Sequence, residues 1–260
     1  MDAQLRCEVE PPIGTLIFDH RARRNAITAE MWRDIPRAIA ELGAHPEVRV
    51  VVMRGAGDIA FVSGADISEF EQRRSGDAAA DYDRHNQRAF EALLDCGKPL
   101  IAAIHGFCVG GGCAIALTAD LRYAAADAIF AIPAARLGLG YNAPGLATLV
   151  NVVGYAAAKE IFFTARRFTA AEALQMGLVN RVLPKADLDQ YVRSTALAIA
   201  ANAPLTIAAA KLALREQSKP SAARDPAKVE AAIRACYASD DYGEGVRAFL
   251  EKRSPSFRGK

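Results

Sequence analysis

Charge of one sign is scarce in this chain. Its 32 Lys and Arg stand against 30 Asp and Glu, a formal net charge of +2 over 260 residues. That balance gives no electrostatic case for nucleic acid or for an anionic membrane, which a basic face would attract. Paired cysteines are lacking too. Cys7, Cys96, Cys108, Cys113 and Cys236 are odd in number and contain no CxxC pair. They read as small hydrophobes in a reducing cytoplasm, not as a disulfide framework. No cluster of Cys and His has zinc-ligand spacing, so no metal is expected. No apolar run is long and unbroken enough to cross a bilayer. The first residues do not join a basic start to an apolar stretch, and Glu8 and Glu10 come early. Neither a secretory signal nor an Arg-rich transit peptide is expected.

The remaining composition is ordinary: 52% hydrophobic and 24% charged. It allows one large domain with a full core and a small helical appendage. Early on, strands and helices alternate. Residues 7–9 and 13–18 flank Pro11-Pro12 as a hairpin. Thr28 caps a helix with Met31, Ile35, Ile39 and Leu42 at helical spacing, which Pro36 should kink or shorten. Residues 48–53 read as a buried strand, 73–80 as a mobile loop and 81–94 as a helix. Short strands follow at 100–104 and 121–124. Thr169-Ala170-Ala171-Glu172 is a capping box, and Gly177 ends its helix. From residue 187 the chain reads as helices only, over 187–201, 204–216, 222–238 and 241–252.

Chemistry concentrates at Gly110-Gly111-Gly112. These glycines close one apolar segment and open another, the pattern of strand, tight turn and buried helix. Without Cβ atoms such a turn lets a ligand approach bare backbone N–H groups, and the helix start adds partial positive charge. The site suits an anion or a developing oxyanion. A phosphate-loop lysine and GxGxxG spacing are missing, which weakens a nucleotide reading.

A second loop, Ser63-Gly64-Ala65-Asp66-Ile67, narrows this. GADI after a Val-rich strand and GGGC before a buried helix together resemble the crotonase (enoyl-CoA hydratase/isomerase) superfamily. Arg24-Asn25-Ala26-Ile27 is similar to its N-terminal CoA-contacting turn. Residues 154–184 resemble its helix-and-return segment, and residues 249–257 its C-terminal tail. The resemblance implies an α/β fold, a crotonase-like ββα spiral core with a C-terminal all-helical region. Residues 1–200 would form the acyl-CoA-binding core and residues 201–260 the helical region that builds a homo-trimer or a hexamer of paired trimers. CoA enters as part of the substrate, and no separate cofactor is implied.

By the same resemblance the N–H groups of Ala65 and Gly111 form the oxyanion hole. Arg24 would face the CoA phosphates and Ala26 the pantetheine or adenine. Ser63, Asp66 and Ile67 would line the adenine–pantetheine bend, with Lys252 and Phe257 reaching in from the tail. As a plain reading Asp66 caps its own turn, and Lys252 is a solvated surface residue.

Two positions depart from the family. Its hydratases carry one carboxylate after the glycine turn, where this chain has Ala114. They carry a second in a segment resembling FxxPExxLG, where this chain has Ala134. Alanine does no acid–base work, so two-carboxylate hydration and the double-bond shift are unsupported. Tyr141-Asn142 and residues 237–245 resemble the methylmalonyl-CoA decarboxylase branch, although that branch has a His at Ala65 and a Glu at Ala114. The resemblance implies that Tyr141 orients a departing carboxylate; otherwise Tyr141 is a partly buried aromatic and Asn142 a turn residue. Arg136 is either a carboxylate partner or a solvated arginine. His105, Asp120 and Asp127 read as structural. Tyr82 and His85, one helical turn apart, are placed to cover an acyl chain. Three functions stay open: a decarboxylase-like or other acyl-CoA lyase, a non-catalytic acyl-CoA-binding subunit, and a hydratase with relocated acid–base groups.

Overall fold

A computed structural model describes residues 3–69, 77–141 and 143–260. The side chains of residues 67 and 77–79 are not among the described ones. The chain opens with β1 (Gln4–Glu10) and β2 (Ile13–Asp19), paired antiparallel in the expected hairpin. The next helix, α1 (Ala29–Ala44), starts where Thr28 accepts a hydrogen bond from the Met31 N–H at 3.3 Å. Of the two effects expected of Pro36, a kink or a shortening, the shortening does not occur, since α1 runs past it to Ala44. A proline inside a helix costs about 3 kcal/mol. The buried face of Met31, Trp32, Ile35, Ala38, Ile39 and Leu42 packs into the core and outweighs that cost.

After α1, the chain lays successive strands in two sheets. β3 (Val50–Gly55), β5 (Leu100–Ile104), β7 (Leu121–Ala125) and β10 (Arg181–Leu183) join β1 and β2 in a sheet of order β1-β2-β3-β5-β7-β10. β4 (Ala60–Val62), β6 (Phe107–Val109), β8 (Ile129–Ala131) and β9 (Phe168–Thr169) form a second sheet in that order. From β3 onward the pairings in the first sheet are parallel, as are β4 with β6 and β6 with β8. Each turn thus lays one strand in each sheet and then a helix: α2 (Asp77–Asp95) after β4, α3 (Gly111–Thr118) after β6 and α4 (Ala143–Thr164) after β8. This is the expected ββα spiral. Three-residue strands carry no readable periodicity, which is why the second sheet is illegible in the sequence.

The main core fills the space between the sheets, α1 and the spiral helices, with Leu16, Phe18, Met53, Phe61, Leu100 and Ile104 fully buried. A smaller cluster lies on the outer face of the large sheet. There Val50, Val52, Ile101 and Ala103 meet Leu188, Val192 and Ala196 of α6 (Leu188–Ala200). Earlier in the chain, α5 (Ala170–Gln175) has both hydrogen bonds of its capping box. β3 begins two residues later than expected and α2 four residues earlier, so residues 77–80 of the expected loop are helical. Residues 73–76 of that loop lie outside the described residues, as does Asn142. All five cysteines are free thiols.

The long α4 is apolar enough, by length and composition, to cross a membrane. It is broken at Gly154 (φ 75°, ψ 168°), and each half falls short of the ~20 residues a span needs.

The chain ends in α7 (Pro204–Ser218), α8 (Pro226–Tyr237) and α9 (Asp240–Leu250). The last residues fold back on α9. Buried Asp241 accepts the Arg258 and Gly259 N–H groups at 2.6 and 2.8 Å, and Glu244 holds Arg253 and the Ser256 N–H. An apolar groove of about 690 Å³ runs between α7, α8, α9 and this tail, lined by Leu205, Ala209, Ile233, Tyr242, Phe249 and Phe257.

Candidate active site

Two glycine loops and one left-handed turn converge at the ends of β4 and β6. The turn is unusual because two non-glycine residues, Arg24 (φ 52°) and Asn25 (φ 57°), are left-handed in succession. Asn25 fixes it. Its buried amide donates to the carbonyls of Ala56 (3.1 Å) and Ala60 (2.8 Å), and its Oδ1 accepts the His20 N–H (3.1 Å). His20 Nδ1 lies 3.0 Å from the Ala26 carbonyl. The turn is then tied to the loop after β4. The Ser63 N–H donates to Arg24 O, the Ser63 hydroxyl to Arg23 O, the Ile27 N–H to Gly64 O and the Asp66 N–H to Ile27 O, at 2.8 to 3.2 Å.

The last two bonds make Ile27 and Ala65 partners in a parallel bridge. In such a bridge the residues flanking Ala65 turn their polar groups toward Ile27, so the Ala65 N–H points the other way. The second loop lies on that side. Gly110 (φ 51°, ψ −113°) has a backbone conformation open only to glycine and caps α3, accepting the Ala114 N–H at 3.1 Å. Its own N–H donates to Ala131 O at 2.8 Å. A Cβ on Gly112 would sit 2.1 Å from Val62 O, so the loops touch backbone to backbone. A Cβ on Gly111 would lie 3.7 Å from the Ala65 nitrogen. Neither the Ala65 nor the Gly111 N–H donates to an acceptor among the described residues. Two backbone donors thus stand side by side at the start of a helix, an arrangement suited to developing negative charge.

The site residues read from the sequence divide into three groups. Arg24, Ala26, Ser63, Ala65, Asp66 and Gly111 are brought together by these bonds. The Arg24 guanidinium stacks 4.6 Å above the Phe107 ring and is paired with no carboxylate among the described residues. Asp66 is buried and accepts from the Ser68 N–H (3.0 Å), the Ser68 hydroxyl (2.7 Å) and Arg23 (3.2 Å). Burial works against its ionisation, but Ser68 and the Arg23 charge prevail and hold its carboxyl below the usual range. Its side chain caps its own turn, as the plain reading had it. The backbone of Ile67 opens the short helix Ile67–Glu69, but its side chain lies outside the described residues.

The second group is Tyr141, Ala114, Ala134 and Arg136. Tyr141 is half-buried, its ring edge-on to Phe162 of α4 with centroids 4.9 Å apart. Ala114 is half-buried and Ala134 buried, so no acid stands at either position. Arg136 is exposed on the turn Pro133–Leu137. Lys252 and Phe257 form the third group. Lys252 is exposed in a left-handed cap after α9, and Phe257 packs beside Gly245 in the apolar groove. Among the described residues, no hydrogen bond, ion pair or ring contact joins either to the loop residues.

His105, Asp120 and Asp127 each have an internal partner. Buried His105 Nε2 lies 2.9 Å from Asp189, whose carboxyl that hydrogen bond and Arg54 hold below its usual range against burial. Asp120 accepts Lys211 and the Leu100 N–H, and Asp127 pairs with Lys185. Tyr82 is buried, its hydroxyl accepting from Trp32 Nε1 at 3.1 Å. His85 is half-buried, and its pKa is pushed down by burial and by Arg33, Arg88 and Arg84.

Glu69 and Trp32 escaped sequence reasoning, as did the role of Asn25 within the turn that it had marked. Glu69 accepts the first N–H of α1, that of Ala29, at 2.8 Å. Trp32 lies beneath Gly111, 3.2 Å from where its Cβ would be. The signal for Trp32 was present, because Trp32, Ile35, Ile39 and Leu42 follow helical spacing.

The comparisons agree with this fold. The enoyl-CoA hydratase/isomerase family model matches residues 8–260. A crotonyl-CoA hydratase of Syntrophomonas wolfei is 33% identical over 253 residues, covering 97% of each chain. A peroxisomal Δ3,5-Δ2,4-dienoyl-CoA isomerase of Arabidopsis thaliana is 32% identical over 265 residues, covering 97% of this chain and 95% of that one. The crystal structure of an enoyl-CoA hydratase/carnithine racemase from Magnetospirillum magneticum superposes with a TM-score of 0.94 at 36% identity, covering 100% of this chain and 97% of that one. Relatives of nearly equal similarity thus carry names for different reactions.

Proposed function

This chain belongs to the enoyl-CoA hydratase/isomerase family, whose members act on acyl-CoA thioesters, and from that premise we propose that it is an acyl-CoA lyase of the decarboxylase type. The observation that carries this reading is the pairing of two unused backbone donors, Ala65 and Gly111, with alanine at positions 114 and 134. The thioester carbonyl oxygen accepts both N–H groups. Charge moving onto that oxygen is then stabilised by about 3 kcal/mol per donor. In decarboxylation the bond between the α-carbon and the carboxylate breaks. Its electron pair passes into the enolate, CO₂ leaves and the α-carbon takes up a proton. No strong base is needed, and the absence of carboxylates at positions 114 and 134 removes their repulsion of an anionic acyl group. Tyr141 orients the departing carboxylate. Arg24 meets the CoA phosphates with a guanidinium that has no internal carboxylate to satisfy. Ala26, Ser63, Asp66 and Ile67 line the bend of CoA.

The remaining assignments are part of the same proposal. Residues 1–200 form the acyl-CoA core, and residues 201–260 assemble the chain into a trimer or paired trimers. In the single chain Phe249 is 83% and Leu250 74% exposed beside the apolar groove, a surface that another copy would cover. Lys252 and Phe257, which touch none of the loop residues, would serve CoA from that assembled face. Free thiols throughout fit the cytoplasm.

The relatives' names favour a second reading, hydration or dehydration of an enoyl-CoA with relocated acid–base groups. A mass-spectrometric screen of purified protein against enoyl-, 3-hydroxyacyl-, methylmalonyl-, malonyl- and β-ketoacyl-CoA separates the two. Loss of CO₂ supports the lyase; gain or loss of water shows that Ala114 and Ala134 do not preclude hydration chemistry. Binding without conversion would make the chain an acyl-CoA-binding subunit.

A further inference from the structure

The Gly110–Gly111 peptide carries one of the two donors, and the chain does little to hold it. Glycines on both sides leave its rotation unusually free. A preorganised oxyanion donor needs the opposite, because its value lies in not having to reorient. One hydrogen bond restrains the peptide, from the Ala114 N–H to Gly110 O. The other support comes from far away in sequence. The Trp32 Cζ2 edge lies 3.2 Å from where a Gly111 Cβ would be, filling the space that glycine leaves. The Ala65 nitrogen lies 3.7 Å from the same point, so indole edge, glycine and second donor meet there.

The indole is itself clamped. It is 2% exposed, stands edge-on to Phe90 with centroids 5.3 Å apart, and donates Nε1–H to the Tyr82 hydroxyl at 3.1 Å. Trp32 comes from α1, and Tyr82 and Phe90 from α2. Two helices outside the glycine loops therefore fix one ring against one peptide.

We propose that the Trp32–Tyr82 pair is a positioning device for the oxyanion hole, the indole backing Gly111 so that its N–H stays aligned with that of Ala65. Neither side chain needs to touch the reacting atoms. The inference rests on the acyl-CoA reading of the site and adds the residues that tune it. Because Trp32 is the single tryptophan of the chain, its fluorescence is also a built-in report on occupancy of the site.

The test needs no turnover. Cinnamoyl-CoA has a chromophore conjugated with its thioester carbonyl, and hydrogen bonds to that carbonyl shift its absorption to the red. The wild-type protein should bind it, shift it and show quenched tryptophan emission. Tyr82→Phe deletes only the hydroxyl. Trp32→Phe deletes the ring edge against Gly111 and the Nε1–H. Both should bind cinnamoyl-CoA by calorimetry within about threefold of wild type, yet give roughly half the red shift or less. If Trp32→Phe does not fold, Tyr82→Phe carries the test alone, with emission still readable. Full binding with an undiminished red shift overturns the positioning role and leaves the acyl-CoA reading standing. No binding to the folded wild-type protein overturns both.

Discussion

Around residues 63–66 and 110–112 backbone meets backbone, whereas residues 133–141, where the proposal places the acyl group, form an open turn in which Arg136, Leu137, Gly138 and Gly140 face solvent. The first region is held by bonds from three chain segments and, at Gly111, by the edge of the Trp32 ring. The second hangs on a short turn, a left-handed Gly138 and the ring contact of Tyr141 with Phe162. A thioester carbonyl is common to many substrates and can be met by a fixed backbone. The acyl group varies, and a segment of exposed side chains can vary with it at little cost to the fold. Relatives at 32% and 33% identity with different reaction names fit that division.

The sharpest way to break the comparison is one methyl group at each end. Gly112→Ala places a Cβ 2.1 Å from Val62 O and 2.9 Å from Val62 C, both backbone atoms. The loops must separate, at a cost of about 3 kcal/mol or more, with loss of the carbonyl red shift. Gly140→Ala meets nothing within 4 Å and should stay within about 0.5 kcal/mol of wild type in thermal unfolding. Equal losses at the two positions would end the distinction between a rigid cradle and a tolerant acyl end.

Chemistry gives the next largest effect. Tyr141→Phe should lower turnover of the substrate found by screening about tenfold, or about 1.4 kcal/mol, with acyl-CoA affinity retained. Unchanged turnover removes Tyr141 from the mechanism and leaves it as packing against Phe162. At the cradle end, Arg24→Gln keeps a planar polar group but loses the charge over Phe107. Affinity for the intact thioester should fall about fivefold, and affinity for a pantetheine thioester without the nucleotide should not. Equal weakening of both ligands would place Arg24 in the turn's stability instead.

The same division governs how much could be read in advance. The glycine loops were legible because backbone chemistry leaves few residue choices: Gly110 must be glycine at φ 51°, and Gly112 has no room for a side chain. The Thr28 cap and the Thr169–Glu172 box were legible for a similar reason, a local hydrogen bond with a fixed spacing. Pro36 misled because its cost is local and the packing of α1 that overrides it is not. Trp32 shows the same limit. Its helical spacing marks it as core, but its position under Gly111 comes from α1 meeting the start of α3, which no short pattern contains. Lys252 and Phe257 could be placed on the tail, though not in relation to the cradle, because no short pattern relates two segments so far apart in sequence.

Acidity should separate the two ends by the smallest margin. The Asp66 carboxyl is held below its usual range, since the Ser68 hydrogen bonds and the Arg23 charge exceed the penalty of burial. A carboxyl whose folded pKa lies below its unfolded value of about 3.9 stabilises the fold fully above that value, and the contribution is lost as pH falls through the folded pKa. Asp66→Asn should therefore melt below wild type by a constant amount at pH 5 to 7, and the gap should close as the solution is taken below about pH 4. Residues 133–141 contain no Asp, Glu or His, so acid has nothing to titrate within the acyl end itself. Melting curves of both proteins from neutral to acid pH, with Gly140→Ala as a reference for the acyl end, read this directly. A gap that persists unchanged in acid would mean that Asp66 holds its loop by shape and neutral hydrogen bonds, and that the cradle's rigidity owes nothing to charge.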